Sequence, residues 1–174
     1  MDRLEIGELT VVPLNSDFRL ENFDCGDRDL NEFLRHDALA YDEKMLAKTY
    51  VAVFRGEVAG FFSICADAIR LSKAERLEEF GIAKPHPDYP ALKIARLAVS
   101  IHKRGQGIGR FMATYAIGKA IEISRQAGCR YVTVDAYPEQ ATFYGQKCGF
   151  ISNQGDLGGK NISMRYDLID AFRK

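Results

Sequence analysis

A glycine-rich hexapeptide, Arg104-Gly105-Gln106-Gly107-Ile108-Gly109, sits between a short aliphatic run and an amphipathic segment, and it limits the fold more than any other feature. Upstream, Ile94-Ala95-Arg96-Leu97-Ala98-Val99 reads as a buried strand. Downstream, Ile108, Phe111, Met112, Tyr115, Ala116 and Ile123 recur at three- and four-residue spacings, one face of a helix. A glycine turn opening a helix leaves N–H groups unpaired beside the positive end of the helix dipole, which suits phosphate oxygens. His102, Lys103, Arg104 and Arg110 add positive charge there. Two other phosphate loops are excluded by spacing. A Walker loop needs Gly-Lys-Ser/Thr at its end, whereas Gly109 is followed by Arg110-Phe111. A dinucleotide fingerprint runs Gly-x-Gly-x-x-Gly, and here the order is Gly-x-Gly-x-Gly.

After the helix, Gln126-Ala127-Gly128 is a stop signature. Cys129 to Ala136 alternates, is rich in β-formers and predicts a strand. Pro138 suits the first turn of a further helix and Gly149 its end. The Arg/Gln-x-x-Gly-x-Gly/Ala loop between strand and helix resembles motif A of the GNAT N-acetyltransferase superfamily. Ala141 to Phe150, with Phe143-Tyr144 and Gly149-Phe150, resembles its motif B, Ala-x-x-Phe-Tyr-x-x-x-Gly-Phe.

That resemblance implies the GNAT acyltransferase fold, an α/β architecture with a mixed, mostly antiparallel twisted sheet, flanked by helices and splayed at the cofactor site. It implies acetyl-CoA as co-substrate and no metal. Arg104, Gly105, Gln106, Gly107, Ile108, Gly109 and Arg110 would hold the pyrophosphate. Leu97, Ala98 and Val99 would offer backbone to the pantetheine and thioester, and the Tyr144 hydroxyl would protonate the departing sulfur. Acetyl transfer to an amine needs a neutral amine, support for the oxyanion and a proton for the thiolate. A thiol of pKa about 8.5 leaves readily enough for a tyrosine near 10 to serve as acid. No general base declares itself among His36, His86 and His102; Asp135 and Glu139 are adjacent in sequence, and Arg96 is open between a buried ion pair and a substrate-facing charge.

The 174 residues, 47% hydrophobic, predict one domain over 1–174 with a full core. Twenty-four basic and 24 acidic side chains give no global field favouring nucleic acid or an anionic membrane. Cys25, Cys65, Cys129 and Cys148 lack Cys-x-x-Cys spacing and read as reduced core thiols. The start, Met1 to Leu4, has no apolar signal core, no run reaches membrane-spanning length, and the expected location is cytoplasmic. Leu9 to Leu14 predicts a first strand, with Pro13 favouring an edge. Asp27 caps a helix with a stripe of Leu30, Phe33, Leu34, Ala38 and Tyr41. Residues 49–54 and 58–64 form a hairpin about Arg55-Gly56-Glu57, and Ser72 to Phe80 a short surface helix. Lys84 to Pro90 is a proline-stiffened loop expected at the mouth of the site, Gly155 to Gly159 a turn, and Ile162 to Leu168 a closing strand.

Phe23-Asp24-Cys25-Gly26, Leu30 to Leu34, Thr49 to Val53, Val58 to Ser63, Ala95 to Val99 and Val134-Asp135-Ala136 resemble, in order, the TacT-like toxins of toxin–antitoxin modules. The resemblance implies aminoacyl-tRNA as acceptor, acetylated on its α-amine, with a ribbon-helix-helix antitoxin as partner and a homodimer as a possible assembly. An α-amine near pKa 8 needs less help from a base than a lysine near 10.4. Against this, residues 24–48 hold seven acids and four bases, a poor face for phosphates. The alternatives are an acetyltransferase of a small-molecule or protein amine, and a non-catalytic acetyl-CoA-binding module.

Overall fold

The computed structural model describes residues 5–81, 88–154 and 159–173. Seven strands lie in one sheet in the order β1-β2-β3-β4-β5-β7-β6. β1 (Thr10–Pro13) pairs antiparallel with β2 (Lys48–Phe54) and holds the sheet edge, where Pro13 costs no ladder bond. β2 returns as β3 (Glu57–Arg70) through Arg55-Gly56, whose φ values of 49° and 81° give a primed two-residue hairpin turn. Between β1 and β2, α1 (Arg28–Glu32) runs through a π-helical turn (Phe33–Asp37) into α2 (Ala38–Glu43). The Asp27 carboxylate caps α1 by accepting the Leu30 N–H at 3.1 Å. α3 (Lys73–Phe80) carries a full capping box between Ser72 and Glu75. Then follow β4 (Asp88–Val99), α4 (Ile108–Ser124), β5 (Tyr131–Ala136), β6 (Ile151–Ser152), β7 (Ile162–Asp167) and α5 (Leu168–Phe172).

The chain divides into two compact units, Met1–Cys65 with Ile94–Ala116, and Ala66–Lys93 with Ile117–Lys174, so β3, β4 and α4 each run through both. In the first unit Phe23, Phe33, Leu34, Val51, Phe61 and Ala98 form the core. Phe61 meets the edge of Phe23 at 5.7 Å and stacks on Phe33 at 6.3 Å. The register pair Thr49–Ser63 is buried, and its hydroxyls are 2.7 Å apart, so neither is left unsatisfied. Gly60 is required by close approach. A Cβ there would stand 2.8 Å from the Met112 Cε and 2.9 Å from the Ala98 carbonyl oxygen.

In the second unit Ile69, Leu71, Ala91 and Tyr131 form a separate cluster with Phe80 and Tyr89 against it. Arg165 on β7 is 4% exposed and binds two carboxylates of α3: Nη1 to Glu75 at 2.7 Å, and Nη2 to Glu79 at 2.5 Å. Tyr131 donates to Glu79, and Nη1 also donates to the Asn153 amide oxygen at 2.7 Å. Burial opposes ionisation of Glu75, but the Gln154 and Ser72 amides and the Arg165 guanidinium outweigh it and hold its carboxyl below the usual range. The predicted surface helix is therefore anchored by its acids.

Several expected boundaries move. β3 and β4 are longer than residues 58–64 and 94–99, because Ala66 to Arg70 and Asp88 to Lys93 pair although their apolar pattern is weak. Ile123 is 37% exposed and leaves the buried face of α4, which is built instead on Ile108, Met112, Ala113, Ala116, Ile117 and Ala120. The last strand stops at Asp167, whose carboxylate caps α5 through the Ile169 N–H at 2.9 Å. β5 is buried at four successive positions, Tyr131 to Val134, rather than alternating. Residues 1–4, 84–87 and 155–158, where three expectations fall, lie outside the described residues.

Candidate active site

The glycine loop expected to bind phosphate lies within the first unit. β4 ends at Val99; Ser100 donates its N–H to the Ala59 carbonyl at 2.9 Å, and Ile101 donates to the Asp24 carbonyl at 2.9 Å. Lys103 N–H closes a tight turn on the Ser100 carbonyl. The chain then crosses Gly105 and Gly107 at φ of 76° and 84°, a region side chains disfavour. Gly109 lies inside the first turn of α4 and needs no such freedom. The Gly107 carbonyl accepts the Phe111 N–H at 3.0 Å, so Gly107 caps α4, and the N–H groups of Ile108, Gly109 and Arg110 have no partner within the helix. Ile108 is fully buried and fixes that first turn, while Arg104 and Arg110 are exposed and Gln106 is half-buried. A Cβ on Gly105 would meet nothing within 4 Å, so the loop backbone is open on that side. This is a fit for a diphosphate: amides, the positive end of a 17-residue helix, and open backbone.

A second turn braces the loop. The Asp24 carboxylate accepts the Gly26 N–H at 2.7 Å and the Asn31 side chain at 2.8 Å, and these bonds lower its pKa. Gly26 sits at φ 75°, and a Cβ on it would lie 3.2 Å from the Ile101 Cγ2. Arg104 donates to the Cys25 carbonyl, so this arginine ties the turn to the loop. Lys103 and Arg55 each lie 5.0 Å from the Phe54 ring. Of the strand residues expected at the thioester, Ala98 is buried in the core beneath α1 and α2 and Leu97 and Val99 are half-buried.

Tyr144 belongs to the second unit and is 6% exposed. Its ring takes the edges of Phe143 at 5.0 Å and Phe150 at 5.5 Å. Burial, followed by the neighbouring Cys148, pushes its hydroxyl well above the ordinary tyrosine range, so it is protonated at neutral pH but is a weaker proton donor than an unshifted tyrosine. The expectation of an unshifted tyrosine is corrected in that direction. The motif B spacing also differs from the superfamily pattern. One residue, not two, separates Ala141 from Phe143, and four, not three, separate Tyr144 from Gly149. The segment Phe143–Lys147 is wound as a π-helix, the form in which a helix absorbs one extra residue.

The remaining candidates resolve as follows. Asp135 pairs with Lys93 at 2.5 Å, and Glu139 is exposed. His36 is exposed beside Glu32 at 3.6 Å, His102 is exposed, and His86 lies outside the described residues. Arg96 is in no ion pair among the described residues; its guanidinium lies over the Phe33 ring and near the Tyr41 ring. Of the four free cysteines only Cys25 is buried; Cys65, within β3, and Cys129 and Cys148, at element ends, are half-buried. The reading missed the Asp24–Gly26 brace, the Gly60 contact and the Arg165 cluster. For the first, the signal was Asp-x-Gly ahead of a helix cap; for the last, acids four apart on a helix.

The chain belongs to the acetyltransferase (GNAT) family: the model of that domain matches residues 46–152, from the start of β2 past Tyr144 to β6. It is an acyltransferase that moves acetyl from acetyl-CoA to nitrogen. A tRNA-acetylating toxin of Mycobacterium tuberculosis is 27% identical over 124 residues, 71% of this chain and 73% of that protein. Among solved structures, AtaT complexed with acetyl-methionyl-tRNAfMet is 22% identical and superposes with a TM-score of 0.80 over 95% of this chain and 99% of that one. A tyrosine-to-phenylalanine mutant of AtaT, bound to the C-terminus of the antitoxin AtaR and acetyl-CoA, is 21% identical with a TM-score of 0.75, covering 96% and 99%. At these identities the structural likeness establishes the fold. No helix among the described residues is long and apolar enough to cross a membrane.

Proposed function

We propose that this acetyltransferase is a toxin that acetylates the α-amine of aminoacyl-tRNA in the cytoplasm, held in check by an antitoxin. The likeness to the M. tuberculosis tRNA-acetylating toxin over most of both chains carries the reading, and the AtaT complexes with acetylated tRNA and with AtaR support it. The amides of Ile108 to Arg110 and the open backbone at Gly105 receive the pyrophosphate. A backbone N–H near Val99 polarises the thioester carbonyl. The amine nitrogen forms the new C–N bond as the C–S bond breaks, Tyr144 gives its proton to the departing thiolate, and the amine loses a proton to water. No side-chain base is needed where the amine titrates near pKa 8.

The test is to incubate the purified chain with acetyl-CoA and a pool of charged tRNA, then digest and identify N-acetyl-aminoacyl-adenosine by mass spectrometry. Acetylated aminoacyl ends in the digest, and growth arrest on expression without the antitoxin, are the expected results. Coenzyme A release with other amines and none with charged tRNA would overturn the substrate and leave the acetyltransferase.

A further inference from the structure

Arg96, on β4 in the first unit, is a cation that the reaction as described does not use. Its guanidinium carbon lies 3.7 Å over the Phe33 ring and 5.5 Å from the Tyr41 ring, and those rings meet edge to face at 5.4 Å. Phe33 opens the π-helical turn between α1 and α2, a distortion common at functional sites. The side chain is half withdrawn from water, yet among the described residues it has no ion pair and no hydrogen bond. A guanidinium presents five N–H donors in a planar fork, and contact with the two rings confines the group while leaving the donors unspent. Such a group is pre-organised for bidentate binding of a phosphate or carboxylate.

We infer that Arg96 receives the phosphodiester next to the aminoacyl end of the acceptor strand. The inference rests on the proposed tRNA reading. Arg96 and Ala98 share a face of β4, and two to three residues of strand separate Arg96 from the proposed thioester position, about 7–10 Å at roughly 3.3 Å per residue. In an aminoacyl ester of a 3′-terminal nucleotide, eight bonds join the α-nitrogen to the nearest phosphorus, about 10 Å when extended. An amine at the thioester thus carries its phosphate to within reach of Arg96.

The test compares wild type, Arg96→Gln and Arg96→Lys with charged tRNA, measuring KM, kcat, acetyl-CoA affinity and the salt dependence of tRNA binding. Arg96→Gln should raise KM for charged tRNA about tenfold to a hundredfold, leave kcat and acetyl-CoA affinity near wild type, and flatten the slope of log K against log salt by about one. Arg96→Lys should keep the slope. An unchanged slope in Arg96→Gln, or an equal loss in acetyl-CoA affinity, would make Arg96 a structural staple and overturn the inference. Wild-type chain that neither binds nor acetylates charged tRNA would instead overturn the substrate reading.

Discussion

Gly26→Ala tests whether the Asp24–Gly26 turn positions the phosphate loop. Alanine at φ 75° costs about 1–2 kcal/mol, the ordinary penalty of the left-handed region. Its Cβ also meets the Ile101 Cγ2 at 3.2 Å and the Arg104 Nη2 at 3.5 Å, so the neighbours must give by a few tenths of an ångström. Gly81 is the matched control, with φ 70° at the end of α3 and nothing within 4 Å of a Cβ. Both substitutions should lower Tm by about 2–8 °C, at roughly 2–4 °C per kcal/mol for a chain of this size. They should part in calorimetric titration with acetyl-CoA. Gly81→Ala should bind as wild type, and Gly26→Ala about tenfold more weakly, equivalent to one charge-assisted hydrogen bond of about 1.4 kcal/mol. A Gly26→Ala protein that melts early but binds acetyl-CoA normally would refute the brace.

Two other outcomes follow from the second unit. Tyr144→Phe should cut kcat about 10²- to 10⁴-fold with acetyl-CoA affinity and Tm near wild type, because the ring contacts to Phe143 and Phe150 survive; a preserved kcat removes Tyr144 from the chemistry. Arg165→Met should cost about 3–5 kcal/mol in urea unfolding at pH 7 by stranding buried Glu75 and half-buried Glu79, and adding Glu75→Gln and Glu79→Gln should recover most of it. Glu75 has a depressed pKa, so in wild type its stabilisation is present above the ordinary carboxylate range and is lost as pH falls below it. Without Arg165 Glu75 protonates more readily, and the cost of Arg165→Met should shrink toward pH 5.

What was legible in the sequence was local. The loop, its strand and its helix are contiguous, so spacing alone identified Gly105, Gly107 and the α4 cap. The brace was not, because it joins Asp24 and Gly26 to Ile101 and Arg104 across more than seventy positions of chain. Gly60 failed to declare itself for a similar reason: a glycine between apolar residues in a strand looks weak until Met112 and the Ala98 carbonyl are seen against it. Tyr144 was found from the motif, but the shifted spacing around it became interpretable only once Phe143–Lys147 proved to be π-wound. A pattern in residue number cannot report how many residues a turn of helix holds.

Charge counting along the chain has the same weakness, and it bears on the acceptor. The excess of three acids over residues 24–48 argued against a nucleic acid on that face. In the structure Asp24 is held by the Gly26 amide and Asn31, Asp27 by the α1 cap, and Asp42 by Lys48 at 2.7 Å, so these acids keep the window's net charge but are fixed in place. Arg96, outside that window, lies against Phe33 and Tyr41 and adds a cation that the count omits. What a phosphate meets at short range is set by which donors are unspent and how they are held, since charges beyond about 8 Å are screened at physiological salt. The acidic average over residues 24–48 thus bears on the proposed tRNA acceptor only through the side chains its phosphates would meet, and Arg96 is the one proposed to meet the terminal phosphodiester.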